Sequence, residues 1–169
     1  MKNITIILGF LYLCCGLGFS TVTAQNADSQ FSINVSADIV SSVEIITIRP
    51  MNLSDAKPQN NQIHIDPKSS RRAGKMVAVG NPNDKIRISF LENRQLTQQS
   101  GSQTVGFQYR VTGNTRDDQA TAEKLNAENR DFRLNDEGRF YLWIGGQVDV
   151  STAPPGNYRG DFTLEIEYL

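Results

Sequence analysis

Phe162-Thr163-Leu164-Glu165-Ile166-Glu167-Tyr168-Leu169 alternates apolar and polar side chains to the last position of the chain. A period of two marks a strand with one buried and one wet face. Most domains let their last residues fray, so a strand here predicts a terminus that is structural. Ala153-Pro154-Pro155-Gly156-Asn157-Tyr158-Arg159-Gly160 precedes it. Proline fixes φ and glycine permits positive φ, so this stretch predicts a tight corner feeding a closing strand.

Working back towards the N-terminus, Phe140 to Ile144 is a dense apolar run, and Gly145-Gly146 permits a bulge or sharp bend before Val148 and Val150. Phe132 and Leu134 begin a strand, and Asn135-Asp136-Glu137-Gly138 reads as a hairpin turn. The stretch from Ala120 to Asn129 has few apolar residues and predicts a solvated excursion with one or two helical turns at most. Val105, Phe107, Tyr109, Val111 and Ile86, Ile88, Phe90 alternate cleanly, which predicts two antiparallel strands joined by a long polar hairpin loop around Gly101. Gly80-Asn81-Pro82-Asn83-Asp84 is a strong turn signal, and Met76-Val77-Ala78-Val79 before it reads as a strand covered on both faces. Ile63 and Ile65 mark a short edge strand, and the segment from Asn52 to Asn61 is loop-like. Phe31, Ile33, Val35, Ala37 and Ile39 alternate as a strand, which Val43 and Ile45 continue until Ile46 and Ile48 take over the apolar phase; this one-residue slip predicts a bulge or a break into two strands. Eight or nine short strands with turns every roughly 8–12 residues predict a single all-β, immunoglobulin-like antiparallel β-sandwich.

Lys2, the apolar stretch from Ile4 to Phe19 and the small-residue run Val22-Thr23-Ala24 form a secretory signal pattern, with cleavage expected after Ala24. Residues 1–24 are thus read as a signal peptide and residues 25–169 as one secreted domain. Both cysteines, Cys14 and Cys15, lie in the leader, so the mature chain is expected to carry neither a disulfide framework nor a thiolate metal site. Loss of Lys2 leaves the domain one unit more negative than the formal −1 of the whole chain. That balance offers no electrostatic case for nucleic acid, and no later apolar stretch reaches the roughly 20 residues of a membrane span.

Chemistry-bearing constellations are sparse. The one histidine, His64, alternates out of the core in an Ile-His-Ile context and has no identified partner for a catalytic role. Asp117-Asp118 and Asp136-Glu137 sit in polar turns without a calcium-loop pattern. Arg71-Arg72 with Lys68 and Lys75 is a local basic cluster, which a solvated loop explains before a ligand does. Trp143 and Tyr141 offer an aromatic face whose expected fate is core packing, a sugar-stacking platform being the alternative. Gly145-Gly146 lacks the lysine and helix of a phosphate loop. No catalytic residue, cofactor or metal site is expected, and the chain reads as non-enzymatic.

Three pieces carry a resemblance: Phe140 to Gly146 with Val148-Asp149-Val150; the corner and strand from Ala153 to Tyr168; and the shorter Ala37-Asp38-Ile39-Val40 and Val77-Ala78-Val79-Gly80-Asn81-Pro82. Together they resemble the bacterial secreted family called domain of unknown function 4402, over most of residues 31–168. A departure follows Met51-Asn52-Leu53, where the family usually has an aromatic-glycine pair and this chain has Ser54-Asp55. The family is similar to fimbrial subunits. Gly156, fourteenth from the C-terminus, and penultimate Tyr168 match two landmarks of pilins assembled with a chaperone. The resemblance implies a terminal-strand assembly motif of Gly156, Tyr158, Gly160, Phe162, Leu164, Ile166 and Tyr168. It also implies an exported structural or adhesive protein of the periplasm, cell surface or exterior, partnered by other copies of itself or by a periplasmic chaperone through β-augmentation. Phe31, Ile33, Val35, Ala37 and Ile39 suit either a donor strand or the domain's own first strand. The alternative is a stand-alone module that binds a surface glycan or protein through its loops, with Trp143, Tyr141 and Arg71-Arg72 as contacts.

Overall fold

The computed structural model describes residues 30–39, 43–53, 56–126 and 130–169, without the side chains of residues 35–39 and 130. The expected signal segment, Ser54-Asp55 and the end of the expected excursion at residues 127–129 lie outside the described residues. The fold is all-β, with no helix among the described residues. Its strands are β1 (Phe31–Ile39), β2 (Glu44–Arg49), β3 (Gln62–Ile65), β4 (Gly74–Val79), β5 (Lys85–Phe90), β6 (Asn93–Gln98), β7 (Thr104–Asn114), β8 (Glu123–Lys124), β9 (Arg130–Arg133), β10 (Arg139–Asp149) and β11 (Tyr158–Tyr168).

Hydrogen bonding links them in the order β2-β4-β10-β7-β6-β11-β5-β9, with β1 on β11, β3 on β10 and β8 on β7. Distant parts of this path face each other. The Phe132 ring of β9 lies 5.0 Å from Phe140 of β10, tilted by 37°, and Tyr109 of β7 lies 4.5 Å from Phe162 of β11. One apolar core runs between them, from Phe31 and Ile33 through Met76, Ile88 and Leu142 to Phe162, Leu164 and Ile166. This fits the expected β-sandwich. The two halves meet where β6 leaves its ladder with β7 and touches β11 at Tyr158 and Arg159.

Alternation explains the regular strands. In β11, Tyr158, Phe162, Leu164 and Ile166 are buried while Arg159, Asp161, Glu165 and Glu167 are exposed. In β7, Val105, Phe107, Tyr109 and Val111 point inward in the same way. The dense run in β10 has another cause: both of its faces are covered. Phe140, Leu142 and Ile144 face the core, whereas Trp143 is buried outside that cluster on the opposite face. There the segment after β7 is tied across β4 and the Pro67–Ser70 loop. Lys75 pairs with Asp117 at 2.6 Å, and the Gln119 amide donates to the carbonyls of Pro67 and Ser70 at 2.8 and 3.0 Å. Near the expected phase slip at Ile46, β2 carries a bulge between Thr47 and Arg49; residues 40–42, between β1 and β2, lie outside the described residues.

Four expectations are corrected. Ile86–Phe90 and Val105–Val111 are not hairpin partners: β5 pairs with β11 and β9, and the polar stretch between them supplies β6, which forms the hairpin with β7. Asn135–Gly138 does turn, with Gly138 N–H donating to the Asn135 carbonyl at 2.9 Å. Yet β9 and β10 leave it for different neighbours. The stretch from Ala120 is neither helical nor fully solvated in its described part, because Ala122 and Leu125 are buried and β8 pairs with β7. Gly145-Gly146 does not interrupt β10. Its ladder with β7 is continuous from Tyr141 to Val148, and the glycines mark where β3 replaces β4 on the other edge.

Candidate functional site

The residues singled out for assembly come together as one seam. β1 lies along β11 in parallel, in register from Phe31 opposite Tyr158 to Ile39 opposite Ile166. The pairing brings Val35 opposite Phe162 and Ala37 opposite Leu164; the side chains of Val35, Ala37 and Ile39 lie outside the described residues. Phe31 and Ile33 are buried, and the Phe31 ring stacks on Tyr158 at 5.2 Å with 13° between planes. The other neighbours of β11 are β5 along Leu164–Tyr168 and β6 at Tyr158–Arg159.

The corner before β11 fixes the start of the seam. Tyr158 donates its hydroxyl to the Pro154 carbonyl at 2.8 Å and its N–H to the Gln30 carbonyl at 2.8 Å. Gln98 donates its side-chain amide to the Pro155 carbonyl at 3.1 Å. Gly156 takes φ +157°, and a Cβ there would strike the Gln98 amide nitrogen. Gly160 sits against Leu96. At the far end the half-buried Tyr168 accepts the Asn81 N–H on its hydroxyl oxygen at 2.9 Å, tying β11 to the turn after β4.

Polar groups line the outside of the same seam. Ser32 donates to the Tyr158 carbonyl at 3.4 Å. Asn34, with its amide turned so that the oxygen faces the guanidinium, accepts from Arg159. Where β6 diverges from β11, a groove of about 870 Å³ carries Arg94, Arg159 and Asp161. Arg94 and Asp161 act oppositely on the buried Tyr109 hydroxyl behind it, whose proton affinity is raised chiefly by burial.

The remaining candidates stay apart. Trp143 is 1% exposed, so it offers no face to a sugar; Tyr141 is half-buried 6.4 Å from it, with the Lys75 ammonium 5.7 Å above its ring. Packing, the fate expected of Trp143, is therefore found, and the alternative of a stacking platform is not. His64 is exposed on β3, as its alternation predicts. Asp117 pairs with Lys75, and Asp118 accepts the Ala120 N–H in a turn that holds its carboxyl below the usual range, chiefly through a hydrogen bond with Thr121. Glu137 approaches Arg139 at 3.7 Å. Arg71 and Arg72 are exposed in their loop. Among the described residues no group of three His, Cys, Asp or Glu is disposed to hold a metal ion, and no helix is long and apolar enough to cross a membrane.

A family model described as Domain of unknown function (DUF4402) matches residues 16–168. The chain belongs to this family. The match takes in the whole described fold up to Tyr168 and begins within the segment read as a leader. No curated protein matches the sequence.

Proposed function

We propose that this DUF4402 protein is a non-enzymatic, exported bacterial surface component, structural or adhesive, that joins other copies into a pilus-like fibre by β-strand complementation. The observation that carries this reading is the place of β1. An immunoglobulin-type sandwich has one sheet of order A-B-E-D and another of C-F-G. Here β2-β4-β10-β7 follows the first order and β5-β11 the C-F pair. In the immunoglobulin sheet the strand beside F is the next one in sequence and runs antiparallel to it. In this chain that position belongs to the first described strand, which runs parallel. A segment brought from the other end of the chain and laddered along one edge is the kind of element that copies exchange. Parallel pairing is also slightly the weaker per residue, which favours replacement by an antiparallel donor from a chaperone or a neighbour. The leader pattern through Ala24 supports export.

The second reading is a stand-alone binding module for a surface glycan or protein. It is favoured by the burial of Phe31 and Ile33 within their own domain. The two separate in one experiment: the mature protein and a version lacking residues 25–40 are compared by light scattering after size exclusion and by thermal melting. Heat-resistant multimers, with the truncated form rescued by added peptide 25–40, are the expected outcome. A stable monomer whose truncated form unfolds without rescue would establish β1 as a fixed internal strand and leave the binding module as the account.

A further inference from the structure

Gly106 lies inside β7 with its backbone exposed to solvent. Its φ is not positive, so the backbone does not call for a glycine. Packing does not call for one either: a Cβ at Gly106 would meet nothing within 4 Å, whereas at every other described glycine it would come within 3.2 Å of a neighbour. The ladder with β6 passes through this position without a shift of register, so there is no bulge to explain it. A glycine inside a strand weakens the strand, and beyond bulges and bends it marks a place where a ligand or another backbone approaches closely.

The side chains around Gly106 are mostly amides. Residues directly opposite on neighbouring strands share a face, and the register sets His64, Gln147, Gln108 and Asn93 in one row across β3, β10, β7 and β6. Arg110 donates to the Gln147 side-chain oxygen at 3.2 Å, and Gln147 donates to the Gln108 oxygen at 3.0 Å. This relay holds the amides in place and leaves the Gln108 nitrogen as its last donor. In the next row Gln62 stands opposite Asp149, and Gly106 opposite Gln95. On one side of Gly106 a hollow of about 360 Å³ reaches Gln108, Gln147 and Asp149; on the other, the groove of about 870 Å³ continues past Gln95 to Arg159 and Asp161. Asn93, Arg94 and Gly106 border both, so the two form one trough. It crosses β10, β7 and β6 to reach β11, with strands about 4.8 Å apart where they are paired, and so has room for a chain of sugars.

We propose that this trough binds a neutral oligosaccharide, with one sugar ring laid on the bare backbone at Gly106. Each primary amide offers donors and an acceptor together, the pattern that neighbouring sugar hydroxyls require. With no side chain at position 106, the apolar face of a ring rests against the strand itself. Among the described residues that line the trough, Arg94 and Arg159 are matched in charge by Asp149 and Asp161, which favours a neutral sugar over a charged one. A protein partner would seek an apolar anchor site, and the aromatic residue of the lining, Phe107, is only 1% exposed. The inference gives the adhesive side of the reading above a site, and it stands whether β1 is exchanged between copies or kept. The multimer experiment can therefore fail while sugar binding succeeds, and the reverse.

Calorimetric titration of the purified protein with cellotriose, mannotriose and triacetylchitotriose tests the proposal, each beside its own monosaccharide and with a galacturonate trisaccharide as the charged comparison. At least one neutral trisaccharide is expected to bind tenfold or more tightly than its monosaccharide, and the charged one no more tightly than that. Gly106→Thr is expected to raise the melting temperature, because a β-branched residue suits a strand, and at the same time to cut binding tenfold or more. A glycine without a ligand would give the first effect and not the second. Gln108→Ala should weaken binding several-fold with the fold intact, a readout that serves even if Gly106→Thr folds poorly, and Lys85→Gln outside the trough should bind as the parent does. Backbone amide shifts on titration should centre on Gly106 and Gln95. Failure of all the neutral sugars to bind, tighter binding of the galacturonate, or parental binding by Gly106→Thr would overturn the proposal. Shifts at Gly106 that follow protein concentration instead of sugar would also overturn it, by giving the notch to a second copy.

Discussion

Tyr109 carries a hydroxyl into the core that makes no hydrogen bond to the protein, between Phe107 and Phe162 at ring distances of 4.5 Å each. An unpaired buried polar group costs about 1–3 kcal/mol, so Tyr109→Phe should keep or raise stability by about 1 kcal/mol, read from denaturant midpoints. Burial also favours the neutral phenol and raises its pKa above the ordinary 10.0. A folded pKa above the unfolded one contributes stability that is complete below about pH 10 and is lost as pH rises towards the folded value. The parent should therefore lose more stability than Tyr109→Phe between neutral pH and strongly alkaline pH. Equal alkaline profiles would show that the hydroxyl reaches solvent. Gly146 is a second such position: its φ is +153°, and a Cβ would strike the Gln108 carbonyl and the Phe107 ring. Gly146→Ala should cost about 2–4 kcal/mol from backbone strain and overpacking together, measured by chemical denaturation. Neither position announces itself in sequence. Tyr109 fits the alternation of β7 as any aromatic would, and Gly146 reads as a bend although its strand runs on.

At the scale of elements, strands that bury one face were legible because their side chains alternate, β11 and β7 most plainly. β6 was not. Asn93-Arg94-Gln95-Leu96-Thr97-Gln98 contains one apolar residue, Leu96, which is fully buried. Its strand character comes from backbone pairing with β7 and β11, which leaves no trace in hydropathy. The seam between β1 and β11 is testable at this scale. Phe31→Ala removes the ring stacked on Tyr158 and should cost about 3 kcal/mol. If β1 opens as a unit, the loss should fall first on amides of the seam. Hydrogen exchange should then quicken along β1 and in its partner Tyr158–Ile166 before it quickens in β10. Uniform acceleration across the fold would show that β1 is integral to global stability. At the other end, Tyr168→Phe deletes the acceptor of the Asn81 N–H and should lower stability by about 1 kcal/mol, read from melting curves.

At the scale of the whole molecule, the described residues form an all-β fold whose local signals and long-range pairings have different origins. The sequence by itself determined the fold class, the family and most of the strands, since periodicity, turn residues and the closing motif are local properties of neighbouring side chains. It also marked Phe31 to Ile39 and Gly156 to Tyr168 as the segments of interest. Only the tertiary structure decided that these two segments lie side by side in parallel. It likewise buried Trp143 beneath the segment after β7 and gathered Asn93, Gln108 and Gln147 about Gly106. The physical reason is that strand order and layer packing depend on which backbone edges and apolar faces meet across long separations in the chain. Alternation specifies a face for each strand but names no partner for its edges.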